Sequence, residues 1–156
     1  MNTKYALVTG ATAGIGLDIA KELASQGKNI ILTARREDRL REISISLKDE
    51  FNIKCDYVVA DLAQFSAPDK IHNFCSENNY IVEILVNNAG YSINKKFHET
   101  SEDEEEKFLR VLGVSVIALT KKFIPSMLEQ KYGKIMMVSS LASFAPPSSG
   151  WGALYG

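Results

Sequence analysis

The chain has 156 residues, 46% of them hydrophobic and 24% charged, with a net charge of −1 at pH 7. That length suits one domain with a real core. The even charge gives no electrostatic case for nucleic acid or a membrane surface as partner, and no uninterrupted apolar run is long enough to cross a bilayer.

Met1-Asn2-Thr3-Lys4 leads straight into an apolar stretch, which predicts no signal peptide. Tyr5-Ala6-Leu7-Val8 predicts a buried strand, and the residues from Ile15 to Ala24 place apolar side chains at helical spacing. Between them lies Thr9-Gly10-Ala11-Thr12-Ala13-Gly14-Ile15-Gly16. Gly10 permits a tight turn, Gly14 lets backbone approach a ligand, and Gly16 lets the helix pack close to the sheet. A helix starting there aims unpaired N–H groups and the positive end of its dipole at an anion, so the turn is built for a phosphate. The plainer alternative is a glycine-rich turn that holds nothing.

Residues 29–33 predict a second strand, 36–49 a helix with Leu40, Ile43 and Leu47 on one side, and 54–60 a third strand ending at Asp61-Leu62. A helix over about 68–77 leads to a fourth strand at 81–86, which stops at Asn87-Asn88-Ala89-Gly90. Ser101 caps a long helix reaching about Leu128, with Glu102, Asp103 and Glu104 complementing its dipole, and Pro125 should kink or close it. Residues 133–138 give a fifth strand, followed by Ser139-Ser140 and a loop rich in proline, serine and glycine at 146–150. Cys55 and Cys75 are too few for a disulfide framework or a metal site, and read as buried thiols in a reducing compartment, hence a cytoplasmic location. His72 and His98 lack partners at ligand spacing and are expected on the surface, so no metal site is expected.

Repeated β-α units predict an α/β fold, a doubly wound parallel sheet with helices on both faces, in a single domain over residues 1–156. The strand tips carry the polar and glycine residues, and ligands of such sheets bind outside those ends, so one shared cleft is expected. A dinucleotide fold that takes NAD places an acid at the tip of the second strand to bond the ribose hydroxyls. Here that tip reads Thr33-Ala34-Arg35-Arg36, with no acid before Glu37. Two guanidinium groups suit a 2′-phosphate, which favours NADP(H) over NAD(H). The alternative is that both arginines belong to a solvated helix start.

The ordered set Thr9-Gly10-xxx-Gly14-Ile15-Gly16, Asp61-Leu62, Asn87-Asn88-Ala89-Gly90, Val138-Ser139-Ser140 and Tyr155 resembles the short-chain dehydrogenase/reductase superfamily over the whole chain. The resemblance implies a Rossmann-like sheet whose last strands are missing here. It implies that Gly10, Thr12, Ala13, Gly14, Ile15 and Gly16 hold the cofactor pyrophosphate. Arg35, with Arg36, would hold the 2′-phosphate, and Asp61 and Leu62 would flank the adenine. Asn88, Ala89 and Gly90 would line the adenine-ribose side and steady the sheet. Ser140 resembles the catalytic serine that orients the substrate oxygen, and Tyr155 the catalytic tyrosine.

Three features depart from the family pattern. The family lowers the tyrosine pKa with a lysine four positions later on the same helix, and the sequence ends at Gly156, before that position. This looks like the amino-terminal portion of such an enzyme, with its fifth strand left as an open edge. The long helix has no asparagine for the family's proton-relay water, and Ser115 is the nearest polar residue. Ser140 and Tyr155 also stand slightly further apart than is common. The implied activity is an NADP(H)-dependent oxidoreductase interconverting a carbonyl and a secondary alcohol of small-molecule size, with the complete enzyme a homo-oligomer. Without the lysine this chain itself is expected to be inactive, and the alternative is a non-catalytic nucleotide-binding fragment.

Overall fold

Apolar runs broken by glycine turns become β-α units in the computed structural model, which describes residues 3–141 and Phe144. Strands β1 (Thr3–Thr9), β2 (Asn29–Ala34), β3 (Cys55–Val59), β4 (Tyr80–Asn87) and β5 (Lys134–Met137) alternate with helices α1 (Gly14–Ser25), α2 (Glu37–Phe51) and α3 (Ala67–Glu77). Between β4 and β5 runs a helical rod made of α4 (Glu102–Leu109), a π-helical stretch (Arg110–Val114) and α5 (Ser115–Glu129). The sheet order is β3-β2-β1-β4-β5 and every neighbouring pair is parallel. The first three strands step outward in one direction, and the chain then returns to lay β4 on the other side of β1. That reversal opens a crevice at the carboxyl ends of β1 and β4.

The central strands are buried on both faces, which is why they read as continuous apolar runs. On one face Ala6 and Val8 pack with Ala20 and Ala24 of α1 and Leu40, Ile43 and Leu47 of α2. On the other, Tyr5 and Leu7 pack with Ile71 of α3 and Leu119, Phe123 and Met127 of α5. Each such large side chain contributes roughly 1.5–3 kcal/mol by leaving water. Cys55 and Cys75 are buried free thiols, and burial pushes them up to about 11 and about 12 respectively. His98 is exposed, whereas His72 is half-buried with its ring 5.4 Å from that of Phe123.

Four expectations are corrected. His72 is not simply a surface residue, because α5 passes over it. Arg36 is not in a first helical turn: it is the extended N-cap residue of α2, whose first turn carries Glu37 and Asp38. Both arginines therefore stay with the strand tip. Pro125 does not close the helix where it stands, since α5 continues four residues further to Glu129. It removes a single N–H, and the packing of Leu119, Phe123 and Met127 on the sheet holds the segment helical. The rod is irregular at the π stretch, where the Ser115 hydroxyl donates to the Val111 carbonyl at 2.9 Å. Finally, the span Glu102–Glu129, which contains an 18-residue window of mean hydropathy 1.5, is long and apolar enough to cross a membrane by length and composition. Its inner face, including Phe108, Val111 and Phe123, packs inside this domain.

The expected edge is present. Among the described residues β5 pairs only with β4, all four of its residues are exposed, and the Val138 N–H extends the pairing to the Asn87 carbonyl at 2.9 Å.

Candidate functional site

The carboxyl ends of β1, β2, β3 and β4 surround a cleft of 560 Å³. Of the residues singled out from the sequence, Gly10, Thr12, Ala13, Arg35, Arg36, Asp61, Leu62, Ala89 and Gly90 line it together. Thr33, Gln64, Tyr91, Lys107 and Val111 also line it and were not foreseen. Tyr91 directly follows the Asn87–Gly90 segment. Lys107 and Val111 lie four residues apart on the rod, one turn on a common face. Only the crossing of the rod over the strand tips brings that face to the cleft.

The glycine turn is shaped by close packing beneath it. Gly10 has a φ of +68°, and a side-chain carbon there would lie 2.8 Å from the Ala89 Cα. Gly14 has a φ of +55° with open space around it. At Gly16 an added carbon would meet the Asn88 side-chain nitrogen at 2.3 Å and the Gly10 carbonyl oxygen at 2.6 Å. Asn88 supports this turn from below: its Nδ2 donates to the Thr9 carbonyl at 2.9 Å and the Gly10 carbonyl at 3.4 Å. The Thr9 hydroxyl donates to the Val86 carbonyl at 3.2 Å and accepts from the N–H groups of Asn88 at 2.9 Å and Ala89 at 3.0 Å. One hydroxyl thereby ties the β1 tip to the β4 tip with its full hydrogen-bonding capacity.

Asn88, Gly16, Gly14 and Ile15 are not in the cleft lining, and Ile15 is exposed. Helix α1 begins after Ala13 with no side-chain cap and no acid in its first turn. Its leading N–H groups thus have no side-chain acceptor, a state that favours an external anion.

Charge in the cleft is mainly positive. Arg35 and Arg36 are exposed, and neither forms an ion pair with an acid among the described residues, unlike Arg39, Arg41 and Arg110. Arg36 donates to the Thr12 hydroxyl at 3.1 Å, linking the β2 tip to the glycine turn. Lys107 is held by Asp103 at 2.6 Å. Asp61 accepts from the Ala63 N–H at 3.0 Å, closing a turn after β3. The Tyr91 and Phe108 rings meet nearly at right angles, with centroids 5.4 Å apart and planes at 86°. Burial raises the Tyr91 phenol pKa above its ordinary value, while the nearby Arg35 and Lys107 charges pull it back. Among the described residues two buried side-chain oxygens lack partners, Thr33 Oγ1, of a cleft-lining residue, and Asn87 Oδ1. Each represents an uncompensated cost unless something polar reaches it.

Ser140 is exposed, three residues past β5 at the same end of the sheet, and outside the lining of this cleft. Ser115 is buried and bonded within its own helix. Tyr155 lies outside the described residues. Among the described residues no three His, Cys, Asp or Glu side chains gather as a metal site.

Comparison with known proteins agrees with this geometry. The chain is 32% identical over 147 residues to the very-long-chain 3-oxoacyl-CoA reductase of Rattus norvegicus, covering 92% of this chain and 46% of that protein. It is 31% identical over 144 residues to the fatty acyl-CoA reductase of Acinetobacter baylyi, covering 91% of this chain and 48% of that protein. It thus spans about half the length of these curated relatives. Among solved structures, L-sorbose reductase from Gluconobacter frateurii, complexed with NADPH and L-sorbose, superposes with a TM-score of 0.90 at 29% identity, over 99% of this chain and 58% of that one. The family model described as short chain dehydrogenase matches residues 4–155, and with the five-stranded Rossmann-like sheet and its glycine turn this establishes that the chain belongs to the short-chain dehydrogenase family.

Proposed function

We propose that this chain holds NADP(H) in the cleft and forms the nucleotide-binding part of an oxidoreductase that interconverts a small-molecule carbonyl and a secondary alcohol. The observation that carries the reading is the β2 tip. Arg35 and Arg36 line the cleft without acidic partners, beside a glycine turn that feeds the uncapped start of α1. The residues fit the nucleotide in two further ways. Gly14, at a φ of +55° with open space around it, leaves bare backbone for a phosphate while Gly10 and Gly16 let the β4 tip and α1 pack closely beneath the turn, and Thr33, a cleft residue, carries a buried hydroxyl oxygen without a partner. Solved relatives add support, since the Thermococcus sibiricus alcohol dehydrogenase, 30% identical, is complexed with 5-hydroxy-NADP.

When bound, the reduced nicotinamide supplies a hydride to the carbonyl carbon. The chain's own groups would do the rest. The glycine turn and the α1 N–H groups bind the pyrophosphate, and Arg35 and Arg36 bind the 2′-phosphate with forked donors. Ser140 would orient the substrate oxygen, and the Tyr155 hydroxyl would give that oxygen its proton, as the family resemblance implies.

The test is a fluorescence titration of NADPH and NADH. NADPH is expected to bind more tightly, and Arg35→Asp to narrow or reverse the preference. Charge-assisted hydrogen bonds of about 1.5–3 kcal/mol correspond to roughly 10- to 100-fold. Equal affinities, unchanged by the substitution, would remove the reading.

A further inference from the structure

A second cavity, of 360 Å³, opens between the start of α3 and the rod. Leu62 and Gln64 line both this groove and the cofactor cleft, so the turn after β3 is the wall between them. The rod supplies Arg110, Val114, Ala118 and Lys121, which recur every three or four residues and so share one face. From Arg110 to Lys121 that stripe runs about 16 Å at the helical rise. Leu62 and Pro68, both buried, give the groove an apolar floor. Its charges gather toward the ends of the stripe. At one end the Arg110 guanidinium lies 5.3 Å from the centre of the Phe65 ring, which is 80% exposed, and pairs with Glu106 at 2.6 Å. At the other, Lys122 pairs with Asp69, while Lys121 beside it pairs with no acid among the described residues. The lining holds three cations, Arg110, Lys121 and Lys122, and one acid, Asp69, a local charge of +2 in a chain of net charge −1. An apolar groove with one uncommitted cation at its end matches a chain-like molecule with a single negative head.

We propose that this groove binds an amphipathic monocarboxylate of medium chain length, at a site separate from the cofactor cleft. The carboxylate pairs with Lys121, and the alkyl chain lies along Ala118 and Val114 toward Phe65. The volume stands near the lower end of the range for small-molecule sites, roughly 300–1,000 Å³, which favours a medium chain over a long one. Each methylene that leaves water strengthens binding about fourfold, so the tail supplies most of the affinity and the head fixes the direction. The same occupant shelters part of the exposed Phe65 ring.

The experiment is calorimetric titration of the 156-residue chain with decanoate below its micelle concentration. Decanoate should bind with one site per chain. Decyltrimethylammonium, with the same tail and a positive head, and butanoate, with the same head and a short tail, should not bind measurably. Lys121→Glu reverses the uncommitted charge at an exposed position and should weaken decanoate about tenfold or more. Ala118→Phe fills the groove and should abolish binding. Arg35→Asp alters the cofactor cleft alone and should bind decanoate as the wild type does. No binding of decanoate to the wild type, equal binding of decyltrimethylammonium, or wild-type affinity in Lys121→Glu overturns the inference. A loss in Arg35→Asp overturns it too, because the anion would then sit in the cofactor cleft. So does a dimer in light scattering that Ala118→Phe dissociates and that binds no decanoate, since the groove would then belong to a second copy of the chain. Far-UV circular dichroism of each variant confirms that the comparison is made on folded protein.

Discussion

Gly16→Ala separates local helix preference from tertiary packing in one substitution. Gly16 is the third residue of α1. On propensity alone alanine is better there, by up to about 1 kcal/mol. The structure predicts the opposite sign. The new methyl carbon would lie 2.3 Å from Asn88 Nδ2 and 2.6 Å from the Gly10 carbonyl oxygen, about 1 Å inside ordinary contact. Asn88 must withdraw, breaking its bonds to the Thr9 and Gly10 carbonyls, and those two bonds are worth about 1 kcal/mol each. The Gly10 carbonyl is backbone and yields only if the whole turn moves. After subtracting the propensity gain, the net loss is about 1–2 kcal/mol. Urea denaturation followed by circular dichroism measures it. Gly113→Ala is the control, since nothing lies within 4 Å of its added carbon and only propensity should act. In an Asn88→Ala background, Gly16→Ala should cost about 1 kcal/mol less than in the wild type, because one of its two collisions has gone. Gly16→Ala protein as stable as the wild type, or an equal cost in both backgrounds, would refute the close approach of α1 to the sheet.

Two further outcomes follow from charged groups. Glu104 accepts from the Lys95 ammonium at 2.6 Å and the Ser101 N–H at 3.0 Å, which lowers its pKa from 4.5 to about 2. Its folded value lies below its unfolded one, so its contribution is complete above about pH 4.5 and fades as pH falls toward 2. Glu104→Gln should lower the thermal midpoint at pH 7, with the gap closing over that acid window; a gap of constant size at every pH would contradict this. Glu83, 5% exposed at a bulge in β4, is paired with Lys28 at 2.9 Å and Lys4 at 3.5 Å. Lys28→Met should destabilise by about 1–2 kcal/mol, less than a fully buried pair because Lys28 is partly solvated and Lys4 remains. Adding Glu83→Met should restore most of that loss in the same urea assay, and a double variant as unstable as Lys28→Met would contradict the account.

The sequence alone was enough for the alternation of strands and helices, the Ser101 cap with acids in the first turn after it, the glycine turn, and the arginine pair at the β2 tip. These features rest on interactions within a few residues, where period, turn chemistry and capping act directly. The cleft needed more. Asn88 beneath the glycine turn, Thr9 joining β1 to β4, and Tyr91, Lys107 and Val111 on its far wall were decided by strand order and by the path of the rod. The π stretch and the continuation of the helix past Pro125 to Glu129 belong to the same class. Those outcomes depend on contacts between residues tens of positions apart, each weak and none periodic, so they emerge only when the whole core is packed.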